Sequence, residues 1–406
     1  MSRPYRIAMV AACPFPYPRG TPVRILRMAE ALVARGNEVH VVTYHHGDMN
    51  EPTPFPVHRI ADVKTYRKLS PGPTYQKLLL IDPMLARKLR TVVREHDIDL
   101  IHAHHYEGLL VAAAARRATK HPIVYDAHTL LESELPFYKL GLPASWKRGI
   151  GRRIDGWLPR KAEHVIAVTD RIRSHLVRYA GLSPDHVSKV QNGVESAHFA
   201  AAMNGTRWRD DSAERRVVYA GNLSAYQGIE LLLHAFAGAC KQRRDLKLVL
   251  VTGSRFDAYQ ELARALGIRD RIEIVQGGFE RLPEEFGRAH LAVNPRTECD
   301  GIPQKLLNYM AAGLPVLSFA GSAKNIDHGR NGWIVKDHDI PGFATAILHL
   351  LARPKLAAEL GARARALVLE KSTWEQTAIN TEAVYEKVLA ARAGGTAGNR
   401  NAGGGR

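Results

Sequence analysis

"RIAMVAACPFPYPRGTPVRILRMAEALVARGNEVHVVTY" (residues 6–44) decides how the rest of the chain is read. Its opening, 6–12, is a short apolar run suited to a strand buried on both faces. "PFPYPRG" follows as a loop. "TPVRILRMAEALVARG" then predicts a helix, with Thr21 as N-cap and Pro22 at the first helical position. Ile25, Ala29, Leu32 and Val33 form its buried stripe, and Gly36 stops it. "NEVHVVTY" is the next strand. Strand, helix and strand in that order make a parallel βαβ unit.

The alternation continues outward. "DLIHAH" (99–104), a helical "YEGLLVAAAARRA", "PIVYDAH" (122–128), a helix near 145–162, "HVIAVT" (164–169), the helix "DRIRSHLVRYAG" and "HVSKVQNGV" (186–194) follow in turn. Residues 196–214 lack any clean period and read as a linker. A second alternation then runs through "RVVYAG", a helix over 226–242, "LKLVLVTG", a helix over 256–267, "RIEIVQ", "LAVNP", "PVLSFA" and "GWIV". The expected fold class is α/β, with two Rossmann-like doubly wound parallel-sheet domains. The boundaries expected are 1–195, a linker over 196–214, and 215–372. A terminal helix over 373–393 returns to the first domain. The glycine-rich tail 394–406 buries too little to fold and is expected to be disordered.

The bulk properties narrow the class without naming it. Across 406 residues, 45% are hydrophobic and 24% charged, an ordinary globular balance. Lys and Arg number 57 against 40 acidic residues, a net charge of +17 that favours anionic partners. Cys13, Cys240 and Cys299 are too few and too scattered for a disulfide framework or a metal knuckle, which points to a reducing compartment. "VAAC" (10–13) resembles a lipoprotein cleavage site, but the apolar run before it is shorter than the roughly 7–15 residues of a signal core. No apolar run reaches the roughly 20 residues of a membrane span. The expectation is a cytoplasmic chain, soluble or peripheral on the inner face of the cell membrane. Nucleic-acid binding rests on charge alone, with no reading module, and is not expected.

Ligands of open parallel sheets bind beyond the carboxyl ends of the strands, so the loops there are the candidate sites. In the first, Gly20 permits close backbone approach at a helix start, with Arg19 and Arg24 nearby, a place that suits a phosphate. The alternative is a tight turn that needs glycine. The second is "YAGNLSAYQGIELLLHAF" (219–236). The third joins "NPRTEC" (294–299) to "DGIPQKLLNYMAAGLPV" (300–316). There Pro303 takes the first helical position, Leu306, Leu307 and Met310 form a stripe, and Gly313 ends the helix. Lys305 is the oddity, because a cation in the first turn faces the positive end of the helix dipole at a cost of roughly 0.3–1 kcal/mol. Arg296 and Lys305 flanking a glycine loop suit a diphosphate. The alternative is a lysine that snorkels to solvent.

Together these segments resemble the two-domain GT-B glycosyltransferases, specifically the retaining family-4 group, over about residues 5–390. The resemblance rests on the opening unit, on "DLIHAHHYEGL", "VYDAHTLLESELP" and "VQNGVESAHF", and on "YAGNLSAYQGIELLLHAF", "HGRNGWIV" and the closing "STWEQTAINTEAVYEKVL". It implies a hexosyltransferase whose domains face a central cleft, with an acceptor-binding first domain and a donor-binding second. Asn222 and Gln227 stand where that family usually places an arginine and a lysine. Its paired glutamates fall on Asp300 and Asn308. The "YQG" and "PR…P.K" pieces look like a subgroup whose cations have moved to Arg296 and Lys305.

On that resemblance the donor phosphates fall to Gly20, Thr21, Asn222, Gln227, Arg296 and Lys305. The sugar and nucleotide fall to Gly301, Ile302, Pro303, Gln304 and Asn308, and the catalytic pair is His128 and Asp300. Asn308 offers only an uncharged acceptor to a ribose, so recognition there is expected to be looser. No metal or other cofactor is expected, since protein cations can stabilise the leaving diphosphate. His102 and His104 share a strand face, but no third ligand follows at an obvious spacing, and they read as structural. The partners expected are a nucleotide-sugar donor, a carbohydrate or lipid-linked acceptor, and an anionic membrane surface. That surface is suggested by "KLLLIDPMLARKLR" and by residues 138–164, where Trp146 and Trp157 sit among seven basic residues. The alternative places those tryptophans in the core. A nucleotide-sugar epimerase and a degenerate binding scaffold on the same fold are the competing functions.

Overall fold

In a computed structural model of the chain, the structure describes residues 4–17, 20–48, 52–69, 72–138, 141–200, 214–299 and 301–400. They form two compact units, one of residues 1–193 with 374–406, the other of residues 194–373.

Unit 1 is built on seven parallel strands: β1 (Arg6–Ala11), β2 (Glu38–Thr43), β3 (Val57–Arg59), β4 (Leu100–His104), β5 (Ile123–Ala127), β6 (His164–Ala167) and β7 (Val187–Lys189). Their order across the sheet is β3-β2-β1-β4-β5-β6-β7. β1 lies between β2 and β4, so Met9 meets Val41 on one side and His102 on the other. Helices cover both faces, and Ile7 to Ala11 are therefore wholly buried. β3 escapes the sequence reading because three residues after a proline-rich stretch carry no period.

The helix Thr21–Ala34 buries Ile25, Met28, Ala29 and Leu32 completely, at roughly 1.5–3 kcal/mol for each large side chain. Its N-cap is Gly20, at φ 56°, and Thr21 is the first helical residue rather than the cap. The difference matters because it releases the threonine hydroxyl for another partner. The terminal helix Trp374–Arg400 belongs to unit 1 and runs past the expected end at residue 393, so the tail expected to be disordered is helical at least as far as Arg400. Ala378, Val384, Tyr385 and Val388 join the core formed by Ile7, Met9 and Ile25. Tyr385 Oη lies 2.6 Å from His102 Nδ1.

Unit 2 has six parallel strands: β8 (Arg215–Ala220), β9 (Leu246–Thr252), β10 (Ile272–Gln276), β11 (Leu291–Asn294), β12 (Val316–Phe319) and β13 (Trp333–Val335). Their order is β10-β9-β8-β11-β12-β13. Chain direction across the sheet reverses between β8 and β11, the switch point at which such sheets open a ligand crevice. Most of the linker expected over 196–214 lies outside the described residues. Its first turn, Ser196–Phe199, is anchored in unit 2, where Phe199 is fully buried and packs 5.7 Å from Phe286.

Gly228 fixes the loop after β8. It caps the helix Ile229–Gln242 at φ 74°, and a Cβ there would lie 2.1 Å from the Pro295 carbonyl oxygen on the loop after β11. Gly228→Ala should therefore lower the stability of unit 2 by about 1–3 kcal/mol. Urea unfolding followed by fluorescence measures it, and an unchanged midpoint would mean that the two loops do not need this close approach.

Candidate functional site

In unit 2, Lys305 is the second residue of the helix Gln304–Ala311, for which Pro303 serves as N-cap rather than first helical residue. Its ammonium reaches back beneath the end of β8. Nζ donates to Tyr219 Oη at 2.8 Å and to Gln227 Oε1 at 2.7 Å, and lies 4.0 Å from the Tyr219 ring centroid. Gly221, at φ 135°, leaves the room: a Cβ there would stand 3.2 Å from Nζ. Burial, and then the like charge of Arg296, pull the Lys305 pKa down to about 7. Among the described residues no carboxylate pairs with it. The snorkelling alternative does not hold.

Arg296 leaves the end of β11. Its Nε donates to the Glu298 carbonyl at 2.5 Å, and its guanidinium lies 5.0 Å from the Tyr226 ring centroid. Tyr226 hydroxyl also accepts from Asn222 Nδ2 at 3.2 Å, while Asn222 Oδ1 accepts from the Ser224 amide at 3.1 Å. Asn222 thus closes its own loop, and Gln227 meets the lysine. Asn308 is buried, and its Oδ1 has no hydrogen-bond partner among the described residues. Such an acceptor is costly unless something supplies a donor. Ile302 and Pro303 are buried, Gly301 and Gln304 half-buried. Asp300 and Arg19 lie outside the described residues.

In unit 1, the ends of β1, β4 and β5 gather a second set. His128 Nδ1 lies 3.1 Å from Thr21 Oγ1, which joins two residues selected separately from the sequence. Its Nε2 is 3.3 Å from Asp126 Oδ2 and 3.3 Å from His104 Nδ1. Nε2–H donating to the carboxylate leaves Nδ1 to accept from the threonine, which fixes the ring. Burial lowers the His128 pKa, Asp126 opposes that, and the result is about 4, so the imidazole is neutral at physiological pH.

Asp126 went unnoticed in the sequence and organises this cluster. Arg24, expected near a phosphate, turns inward instead. Its Nε and Nη2 donate to the two Asp126 oxygens at 2.8 and 3.1 Å, and it also reaches Asn192 and the Val190 carbonyl. Burial alone would raise the Asp126 carboxyl, but Arg24, His128 and His104 hold it well below the usual carboxylate range. Removing one partner of such a buried pair costs roughly 3–5 kcal/mol.

Asp126 also supplies the third ligand that the spacing of His102 and His104 did not reveal, since the three ligand atoms lie within 4.8 Å of one another. A guanidinium on both carboxylate oxygens opposes a dication there. Next to this set, His105 Nε2 lies 2.9 Å from Glu134 Oε2, and Glu107 pairs with Lys77. Burial works against the charge on His105, but Glu134 and Glu107 raise its pKa to about 10. Only the "HH" of "IHAHHYEG" hinted at this group.

Residues 18–198 match the family model Glycosyltransferase Family 4, and residues 214–353 match Glycosyl transferases group 1. The chain is 27% identical to a D-inositol 3-phosphate glycosyltransferase of Streptomyces scabiei over 95% of its own length and 92% of the relative's. It is 26% identical to a GDP-mannose-dependent alpha-(1-6)-phosphatidylinositol monomannoside mannosyltransferase of Mycolicibacterium smegmatis, over 73% of this chain and 78% of the other. Among solved structures, sucrose-phosphate synthase of Thermosynechococcus elongatus superposes with a TM-score of 0.78 at 21% identity, covering 95% of this chain and all of that one. HepE of Anabaena in complex with UDP gives 0.75 at 18%, over 94% of this chain and all of the other. The two matched models, the relatives and the paired parallel sheets agree: this chain is a hexosyltransferase belonging to the GT-B glycosyltransferases of the family-4 type.

Proposed function

We propose that the chain transfers a hexose, with retention, from a nucleoside-diphosphate sugar to a hydroxyl of a lipid-linked or polysaccharide precursor. The observation that carries the donor side is Lys305. A partly buried ammonium held by a phenol and a carboxamide is positioned without being neutralised, and an anion completes it. Lys305 and Arg296 take the leaving diphosphate, with Gln227 and Tyr219 holding the lysine in place. The orphan carbonyl oxygen of Asn308 suits a ribose hydroxyl. Stabilising charge on the leaving group is the main catalytic lever, and no protein nucleophile or metal is required for it. In unit 1, the neutral His128, oriented by Thr21 and Asp126, orients a sugar hydroxyl. Gly20 and Thr21 offer the start of their helix to an anionic group. Asp300 is assigned the sugar hydroxyls.

The acceptor side rests on exposed apolar side chains among cations. Tyr75 and Leu79 are 86% and 77% exposed, and Trp146 and Trp157 are 67% and 54% exposed, so the tryptophans are not core residues. Lys161 lies 5.0 Å from the Trp157 ring centroid. Aromatic and aliphatic groups interleaved with lysine and arginine suit an anionic bilayer surface. One of the relatives is named for a phosphatidylinositol mannoside acceptor, which also favours a lipid-linked acceptor here. Among the described residues no helix is long and apolar enough to cross a membrane, so the association proposed is peripheral.

Two outcomes test these assignments. Lys305 has a folded pKa of about 7 against an ordinary 10.5, so its burial costs stability below pH 7 and that cost is relieved as pH rises through 7 toward 10.5. A diphosphate needs the charged form, so donor affinity should fall as pH rises above 7, by at most about tenfold per pH unit for one proton taken up. Thermal shifts with uridine and guanosine diphosphate sugars measure this. Lys305→Met should abolish both the shift and its pH dependence while Lys64→Ala keeps them; an undiminished shift in Lys305→Met would remove the donor assignment. For the acceptor side, the chain should sediment with anionic vesicles at low salt, and Trp146→Ala with Leu79→Ser should weaken that severalfold. A parent protein that stays in the supernatant ends the membrane reading.

A further inference from the structure

At the β3-β2 edge of the unit 1 sheet, three histidines from three elements converge. His40 is the third residue of β2, and His58 the middle residue of β3. His58 pairs in register with Val42, so His40, two residues earlier on the same strand, lies diagonally from it on the same sheet face. His96 caps the C-terminus of the helix Asp82–Glu95. One ligand atom from each of the three lies within 4.8 Å of the other two. His40 Nδ1 and His58 Nε2 are 2.9 Å apart, and the His96 ring centroid is 4.2 Å from that of His40 and 5.1 Å from that of His58. His40 is buried, while His58 and His96 are half-buried and open to an ion from solvent.

We propose that His40, His58 and His96 form a zinc site, outside the transferase machinery, that ties the sheet edge to the helix behind it. A carboxylate already supports one of the ligating rings. His40 Nε2 lies 2.8 Å from Glu38 Oε1, so its N–H donates to that carboxylate and its Nδ1 lone pair faces His58. A carboxylate behind a ligating imidazole is the usual device for fixing the tautomer and raising the basicity of a metal-bound histidine. Tetrahedral zinc with bonds of about 2.0–2.1 Å separates its nitrogens by about 3.3 Å, so His40 and His58 need open by only a few tenths of an ångström. Three imidazoles and a water complete four-coordination, and an all-nitrogen set favours zinc over magnesium or calcium. The half-buried His58 and His96 leave the outer side of the site for that water. Unlike the His102, His104 and Asp126 group, this cluster has no guanidinium on its ligand atoms among the described residues.

The test uses the full chain, stripped with a chelator and titrated with zinc chloride alone, then with cobalt chloride for its visible spectrum. The expected result is one zinc per chain, a cobalt spectrum of a four-coordinate nitrogen-rich site, and a higher melting temperature with zinc. His58→Gln and His96→Gln should each lose the uptake, the spectrum and the melting gain. Glu38→Gln should weaken binding by about 10–100-fold. Melting of the stripped proteins guards against misfolding, since parent and variants should coincide before zinc is added. Absence of uptake by the parent overturns the proposal. So does uptake or a melting gain that persists in His58→Gln and His96→Gln, because the ion then sits elsewhere.

Discussion

Parallel strands joined by crossovers place every strand-to-helix loop at one end of a sheet, and the Lys305 and His128 clusters of this chain depend on that constraint. Thr21 and His128 are 107 residues apart, and Gln227 and Lys305 are 78 apart, yet each pair is in contact. Neither contact requires a long excursion of the chain. Each follows from strands that finish at the same end of their sheet and from glycines, Gly221 and Gly228, that let neighbouring loops close up. In unit 2 the two loops flank the β8/β11 reversal, where the sheet itself leaves a gap.

The chemistry at that gap turns on how a cation is held. A carboxylate beside Lys305 would hold it more firmly but would cancel its charge and compete with an anionic ligand. Tyr219 and Gln227 give hydrogen bonds without that cancellation, and the cost shows in the lowered pKa. Unit 1 uses the opposite arrangement. Arg24 is fully engaged by Asp126, its charge is satisfied internally, and its task is to hold Asp126 beneath His104 and His128. One cation is left without a neutralising carboxylate among the described residues, which the proposed function reserves for a ligand, and the other is used as a strut.

The sequence made the fold legible because the signals repeated: short apolar runs, helices with one buried stripe, and glycine stops. β3 was missed since three residues cannot show a period. Thr21 was read as a helix cap from its type alone, whereas Gly20, with a positive φ, takes that place and frees the hydroxyl for His128. Lys305 was legible because it violates a local rule, a cation at a helix start, and such violations point to a partner elsewhere. Arg24 and Asp126 were not, because a buried ion pair looks like two surface charges until tertiary structure joins them. Asn222 and Gln227 were read alike from one loop, yet the first closes that loop and the second grips the lysine.

The last helix has a consequence for how the molecule comes into being. Tyr385 and Val388 complete a core whose first members are Ile7 and Met9, so unit 1 is discontinuous in the chain. On a ribosome, its sheet emerges and must wait while all of unit 2 is synthesised before the missing side of that core arrives. Domains generally fold as units during synthesis, the amino-terminal one first. Here the order is inverted: the continuous unit 2 can finish first, and the amino-terminal half spends that interval with apolar surface uncovered, the stage at which chaperone capture or aggregation would act on the nascent protein.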